Sequence, residues 1–200
     1  MDPYDTELSH VALAPSPEQC WSRELDYWER ILKFDALEAQ PIAMAAIRRL
    51  RKNPPPAPRR LSIVHGDFRH GNFLHDGQGR IVAVLDWEFA HIGDPMEDLA
   101  WSLDPLWSHG RADLAAGLMP RAEAIRMWES ASTLEFEPER FRWWSLFCGV
   151  KGLAIWSSAA RSYAEGKSRD PMRAFSGWYC ATRHNHLIAE RLAAAPRGGL

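Results

Sequence analysis

The chain has 200 residues, 46% apolar and 25% charged, which suits one or two folded domains and excludes a disordered tail or a coiled coil. With 24 basic and 26 acidic residues the net charge is −2, which argues against nucleic acid as a partner. The three cysteines, Cys20, Cys148 and Cys180, include no Cys-x-x-Cys pair, so neither a disulfide scaffold nor a structural zinc site is indicated.

The opening MDPYDTELSH is acidic and lacks the basic-then-apolar order of a secretory signal, and residues 1–15 read as a loose lead-in. Ser16-Pro17-Glu18-Gln19 is a helix-start signature. Apolar residues at Trp21, Leu25, Trp28, Ile31 and Leu32 carry the helix to about Phe34. A second helix is predicted over 41–51, ended by the proline run after Asn53. A short strand over 61–64 leads into a polar, glycine-containing loop. Strands over 72–75 and 80–85 then pair around Asp76-Gly77-Gln78-Gly79. The apolar run Ile81, Val82, Val84, Leu85 predicts a strand covered on both faces.

Beyond Asp94 the sequence reads as helix. Asp94-Pro95-Met96-Glu97 caps one predicted over 94–107, and further helices are expected over 120–131, 138–164 and 171–195. Residues 143–160 carry one charge, Lys151, which at a bilayer centre would cost roughly 2.5–3.5 kcal/mol. That stretch therefore reads as a buried helix of a soluble, reduced, cytoplasmic protein without a membrane partner. Lys151 is expected to run its stem along the core and surface at its tip; the alternative makes it a partner of Asp98 or Glu88 at the site. His184 and His186 are expected on an exposed helix end, and residues 196–200 as a frayed tail. Trp143, Trp144, Trp156, Trp178 and Tyr179 read as core, with an apolar acceptor pocket as the alternative.

Polar residues concentrate in residues 61–100. His65-Gly66-Asp67 ends one strand, Asn72 follows five residues after Asp67, and Asp86 ends another strand fourteen residues later. Phosphoryl transfer needs a base to take the proton of an acceptor hydroxyl and hard oxygen ligands for Mg²⁺. One aspartate suits the first task; an asparagine oxygen and a second carboxylate suit the second. A competing reading, a transition-metal hydrolase, would use His65, His70, His75, Asp67 and Asp86 as ligands.

The segments HGDFRHGN, LDWE and GDPMEDLA resemble, in residue type and spacing, the aminoglycoside phosphotransferase and choline kinase family of the protein-kinase-like fold. Within it the Leu-Asp-Trp-Glu form looks most like the kinase-like domains attached to some acyl-CoA dehydrogenases. The resemblance implies an α+β, mainly helical fold, with 61–100 as catalytic and metal-binding core and 101–195 as a helical subdomain. It implies ATP as phosphoryl donor, a small hydroxylated acceptor, Asp67 as catalytic base, and Asn72 and Asp86 as Mg²⁺ ligands. His65, Gly66 and Asp98 would support the catalytic loop, Asp94 would cap a helix, and Glu88 is a further candidate metal ligand.

Such kinases carry an N-terminal lobe with a flexible phosphate-covering loop and a strand lysine. Residues 1–64 contain no glycine, and their lysines, Lys33 and Lys52, fall at predicted helix ends. The sequence therefore reads as a C-terminal lobe alone, expected to bind ATP weakly and turn over little by itself. A separate N-terminal lobe polypeptide or self-association over the exposed lobe face would complete it. The alternative is an inactive, truncated kinase-like binding module.

Overall fold

In the computed structural model, which describes residues 14–194, the order is α1 (Cys20–Asp35), α2 (Pro41–Lys52), β1 (Ser62–Val64), β2 (Phe73–His75), β3 (Ile81–Val84), β4 (His91–Gly93), α3 (Met96–Ser102), β5 (Leu114–Ala115), β6 (Met119–Pro120), α4 (Arg121–Ser132), α5 (Pro138–Ala164) and α6 (Pro171–Ala194). Single 3₁₀ turns occupy His70–Asn72, Trp87–Phe89 and Pro105–Ser108. The expected lead-in up to residue 13, the last residue expected of the final helix and the tail 196–200 lie outside the described residues. The architecture is α+β and mainly helical. The described chain divides into two compact units, one of residues 14–21 and 55–145, the other of 22–54 and 146–194.

The first unit holds the short strands. β1 pairs antiparallel with β4, setting Val64 opposite His91, and β2 pairs antiparallel with β3, setting Phe73 opposite Val84. Strand β4, only His-Ile-Gly, had no signal in the sequence. Cys20, Leu61 and Ile92 form a buried cluster beneath β1 and β4. Burial, with Asp94 nearby, pushes the Cys20 thiol up to about 12, so it packs as a small apolar group and is no nucleophile at neutral pH. The helix expected over 94–107 ends at Ser102. Asp104 then accepts from the Leu106 amide at 3.0 Å and caps a separate 3₁₀ turn. The strand Ile81–Val84, expected to be covered on both faces, is 58% exposed at Ile81 and 60% at Val82.

In the second unit, α1 buries Leu25, Trp28 and Leu32, and α2 buries Ala43, Ala46, Ile47 and Leu50. Both sets follow helical spacing, so each helix turns one apolar stripe inward. The α1 start lies four residues after the expected Ser16, whose backbone carbonyl instead accepts from the amides of Gln19 and Cys20.

Three expectations fail in this unit. Lys151 does not surface: it is fully buried, with Nζ 5.3 Å from the centre of the Trp28 ring. The aromatic face offers a desolvated cation an electrostatic partner. His184 is likewise fully buried, accepting from Trp156 Nε1 at 2.8 Å. Conversely, Trp178 and Tyr179 are exposed on α6 rather than core.

Candidate active site

The site assembles in the first unit where β1 ends. His65 and Gly66 turn the chain sharply, and Gly66 has φ +82°. A Cβ at Gly66 would lie 2.5 Å from the Phe89 carbonyl oxygen, so only glycine lets this loop lie against the segment that follows Asp86. Gly66→Ala is expected to cost at least about 1–3 kcal/mol through the left-handed backbone alone. Chemical denaturation of the variant measures it, and an unchanged midpoint would contradict the contact.

Two features fix the loop further. The Asp98 carboxylate, in the first turn of α3, accepts from the His65 amide at 2.7 Å and the Gly66 amide at 2.9 Å. The His65 ring bridges both loops: Nε2 lies 2.8 Å from the Leu85 carbonyl, and Nδ1 accepts from the Asp67 amide at 3.1 Å. These partners require the tautomer with its hydrogen on Nε2, and they leave neither nitrogen for a metal. His75 is exposed, its Nδ1 accepting from the Gly77 amide within its own turn. The five-residue metal-hydrolase set is therefore not brought together as ligands.

The Asp67 carboxylate is buried and heavily donated to. Trp101 Nε1 reaches Oδ1 at 2.7 Å, and Asn72 Nδ2 reaches Oδ2 at 2.8 Å. Arg69 Nε lies 3.2 and 3.1 Å from the two oxygens, while its guanidinium rests 5.0 Å from the Trp107 ring centre. Trp101 follows Asp98 by three residues on α3, so both side chains project from one helix face to the loop. Trp101, Trp107 and Arg69 were missed by sequence reasoning. An indole reads as packing until its N–H is seen to have an acceptor, and Arg69 had no signal beyond its place two residues after Asp67. Trp101→Phe removes the donor and also shrinks a buried ring, so a stability loss of at least about 1.5–3 kcal/mol is expected. Equilibrium unfolding in urea measures it; a loss below about 0.5 kcal/mol would show that this charge-assisted bond contributes little.

Asn72 and Asp86 are brought beside one another by the β2–β3 hairpin. Beyond the Phe73–Val84 pair, the Leu85 amide donates to the Asn72 carbonyl at 2.8 Å, so Asp86 emerges one residue past the closing rung. Both Asn72 Nδ2 donors are directed at Asp67, to its backbone oxygen at 2.9 Å and to Oδ2. That leaves the amide oxygen as the free end. Asp86 is exposed and holds a left-handed backbone, φ 68° and ψ 55°, uncommon for a non-glycine residue and of a kind found at functional sites. Glu88 is also exposed, two residues further on, in the 3₁₀ turn that Asp86 precedes. The free donors are thus an amide oxygen and carboxylates, the hard oxygen set that suits Mg²⁺ and not a soft metal.

Beside the loop, His70 Nε2 lies 3.3 Å from His109 Nε2. Burial, then His109 and Arg69, hold the His70 imidazole below its ordinary value. Among the described residues, no helix is long and apolar enough to cross a membrane.

Comparison with known proteins finds relatives for much of the chain. Residues 9–144 match the model of the family described as "Phosphotransferase enzyme family". The chain is similar to human acyl-CoA dehydrogenase family member 11, at 36% identity over 87 residues, covering 42% of this chain and 11% of that protein. It is also similar to thiamine kinase of Shigella boydii serotype 4, at 43% identity over 54 residues, 27% of this chain and 19% of that one. Among solved structures, one described as an aminoglycoside phosphotransferase from Ralstonia eutropha JMP134 superposes with a TM-score of 0.75 at 22% identity. That match covers 94% of this chain and 60% of the neighbour, so the chain spans about three fifths of a protein of the same fold and about a tenth of the first curated relatives. With a family match over most of its length and a kinase-like phosphotransferase fold, the chain belongs to the phosphotransferase enzyme family.

Proposed function

We propose that this chain carries the acceptor-activating and metal-holding half of a small-molecule kinase that transfers the γ-phosphoryl group of ATP to a substrate hydroxyl. The observation that carries the reading is the Asn72 amide: with both donors bound to Asp67, its oxygen is left free where Asp86 emerges. One residue thereby ties the candidate base to the candidate metal position.

Asp67 takes the acceptor's proton as the hydroxyl oxygen bonds to the γ-phosphorus; the bond from that phosphorus to the bridging β,γ-oxygen breaks, and ADP leaves. Asn72 and Asp86 would hold Mg²⁺, which when bound neutralises charge on the phosphates. Asp98, His65 and Trp101 keep the carboxylate in place without reorganising during the reaction. Arg69 has a further role. Its side chain is 29% exposed, so it can turn from Asp67 to an arriving phosphoryl group, releasing carboxylate lone pairs for the proton.

The same Arg69 contact favours the second reading, a module that binds a metabolite without chemistry, because Arg69 Nε occupies lone pairs on both oxygens that an acceptor hydroxyl would need. A reducing, ATP-containing cytoplasm fits the three free thiols. We further propose that a nucleotide-binding segment of another polypeptide, or of a longer parent chain, covers the hairpin beside the site. Leu74, Ile81, Val82, Leu85 and Trp87 are all exposed along this one hairpin and its exit.

The test is a phosphate-transfer screen over hydroxylated metabolites, read by ³¹P NMR, on the chain alone and with the neighbouring gene product. A Mg²⁺-dependent phosphate ester is expected in at least one arm. ATP and acceptor left unchanged in both arms would support the binding module instead.

A further inference from the structure

Outside the proposed site, one pair of side chains has a geometry that a metal would use. His70, in the 3₁₀ turn that ends at Asn72, and His109, after the turn Pro105–Ser108, are 39 residues apart in sequence. Their Nε2 atoms lie 3.3 Å apart, with the rings inclined at 72° and 5.3 Å between centroids. That distance admits a hydrogen bond between the two ring nitrogens, and it also suits another arrangement. Two Zn–N bonds of about 2.0–2.1 Å enclosing a tetrahedral angle put the nitrogens about 3.3–3.4 Å apart.

The surroundings favour the same orientation. The His70 Nδ1 is buried with no hydrogen-bond partner, so this ring presents Nε2 alone outward. His109 has φ 47° and ψ 44°, a left-handed backbone that histidine adopts more readily than most residues, and its side chain is exposed. The positive charge of Arg69, next in sequence to His70, is offset by the Asp67 carboxylate it pairs with.

We propose that His70 and His109 form a two-imidazole site for a borderline-soft divalent metal, with Zn²⁺ as the occupant and water completing its tetrahedron. The site is separate from the Asn72–Asp86 oxygen pair. Imidazole nitrogen selects Zn²⁺ over Mg²⁺, while amide and carboxylate oxygens make the opposite choice. An ion held there would clamp the turn that carries Asn72 to the segment after α3.

The experiment is calorimetric titration of the full chain with Zn²⁺ in excess Mg²⁺, which saturates hard-oxygen positions. The same titration follows on His70→Gln, His109→Asn and Asp86→Asn, with circular dichroism to verify folding. One saturable Zn²⁺ site is expected in the unsubstituted chain and in Asp86→Asn, and its loss in each histidine variant. Zn²⁺ should also raise the melting temperature of the unsubstituted chain and leave that of both histidine variants unmoved, because chelation links two distant segments. Long-range ¹⁵N–¹H spectra should show both rings ligated through Nε2. Absence of saturable binding, or binding that survives both histidine substitutions, would overturn the proposal.

Discussion

Asp67→Asn is expected to lower phosphoryl transfer by roughly 10²–10⁴-fold, the range for removing a positioned general base. The substitution conserves shape, but its hydrogen bonds show why the loss should go beyond the proton. In the unsubstituted chain Oδ1 accepts from Trp101 and Oδ2 from Asn72, with Arg69 across both. An asparagine has one acceptor oxygen and one NH₂, so keeping the Trp101 bond points NH₂ at the Asn72 amide nitrogen. Two donors cannot face each other without a penalty of about 1–3 kcal/mol, and the nearest relief is a flip of the Asn72 amide. That flip turns its oxygen inward, away from Asp86. The variant should therefore show both a lower rate and a higher Mg²⁺ requirement. Measuring initial rate against Mg²⁺ concentration for Asp67→Asn and Asp86→Asn separates the effects, since Asp86→Asn should shift the Mg²⁺ dependence with Asp67 intact. Retention of more than a tenth of the transfer rate by Asp67→Asn would remove Asp67 from the role of base.

Phosphoryl-transfer chemistry constrains residue type and spacing together, which is why a linear reading could single out the candidate window. A carboxylate, an amide five residues on and a second carboxylate past a hairpin are recognisable before any coordinates exist. The long helices were legible for another reason: α5 and α6 have proline at their first positions and apolar residues at helical spacing, and α5 spans the expected residues while α6 starts where expected. Contacts between distant segments left no such trace. Trp101 and Arg69 act on Asp67 through three-dimensional proximity, and His109 meets His70 only because the chain returns after α3. Burial was misjudged where charge or polarity set the expectation. Lys151 and His184 are fully buried because an aromatic ring or an indole N–H receives them, and a one-dimensional reading does not register that partner. The opposite error fell on Ile81 and Val82, whose apolar side chains imply a cover that the described residues do not supply.

Asp94→Ala should be the most damaging single substitution for the stability of the first unit, at about 3–5 kcal/mol, the scale of breaking a buried ion pair from one side. Asp94 is fully buried and ties the start of α3 to the first turns of α5. Its Oδ1 accepts from the Met96 amide at 2.9 Å, and Oδ2 accepts from Trp144 Nε1 at 2.8 Å, with Arg140 Nε at 3.5 Å. Removing the carboxylate leaves the buried Arg140 paired with Glu137, at 3.0 Å, and opens the N-terminus of α3. Because α3 delivers Asp98 and Trp101 to the catalytic loop, transfer activity should fall with stability. Asp94→Asn should cost less, since an amide oxygen can still serve one of the donors.

The pH dependence has a defined sign. Burial raises the Asp94 carboxyl above its ordinary value of 3.8, and Arg140, the Met96 amide and Trp144 only partly counter it. A raised folded-state value means that this carboxyl contributes most below 3.8 and less as pH rises through the raised value. The stability advantage of the unsubstituted chain over Asp94→Asn should therefore shrink as pH climbs above 3.8, then level off. Adding Arg140→Met to Asp94→Ala tests the ion-pair part directly: it should recover some of the lost stability, because no uncompensated cation remains. If Asp94→Ala unfolds within about 1 kcal/mol of the unsubstituted chain, or the double variant is no more stable than the single, the buried charge is not what holds α3 to α5.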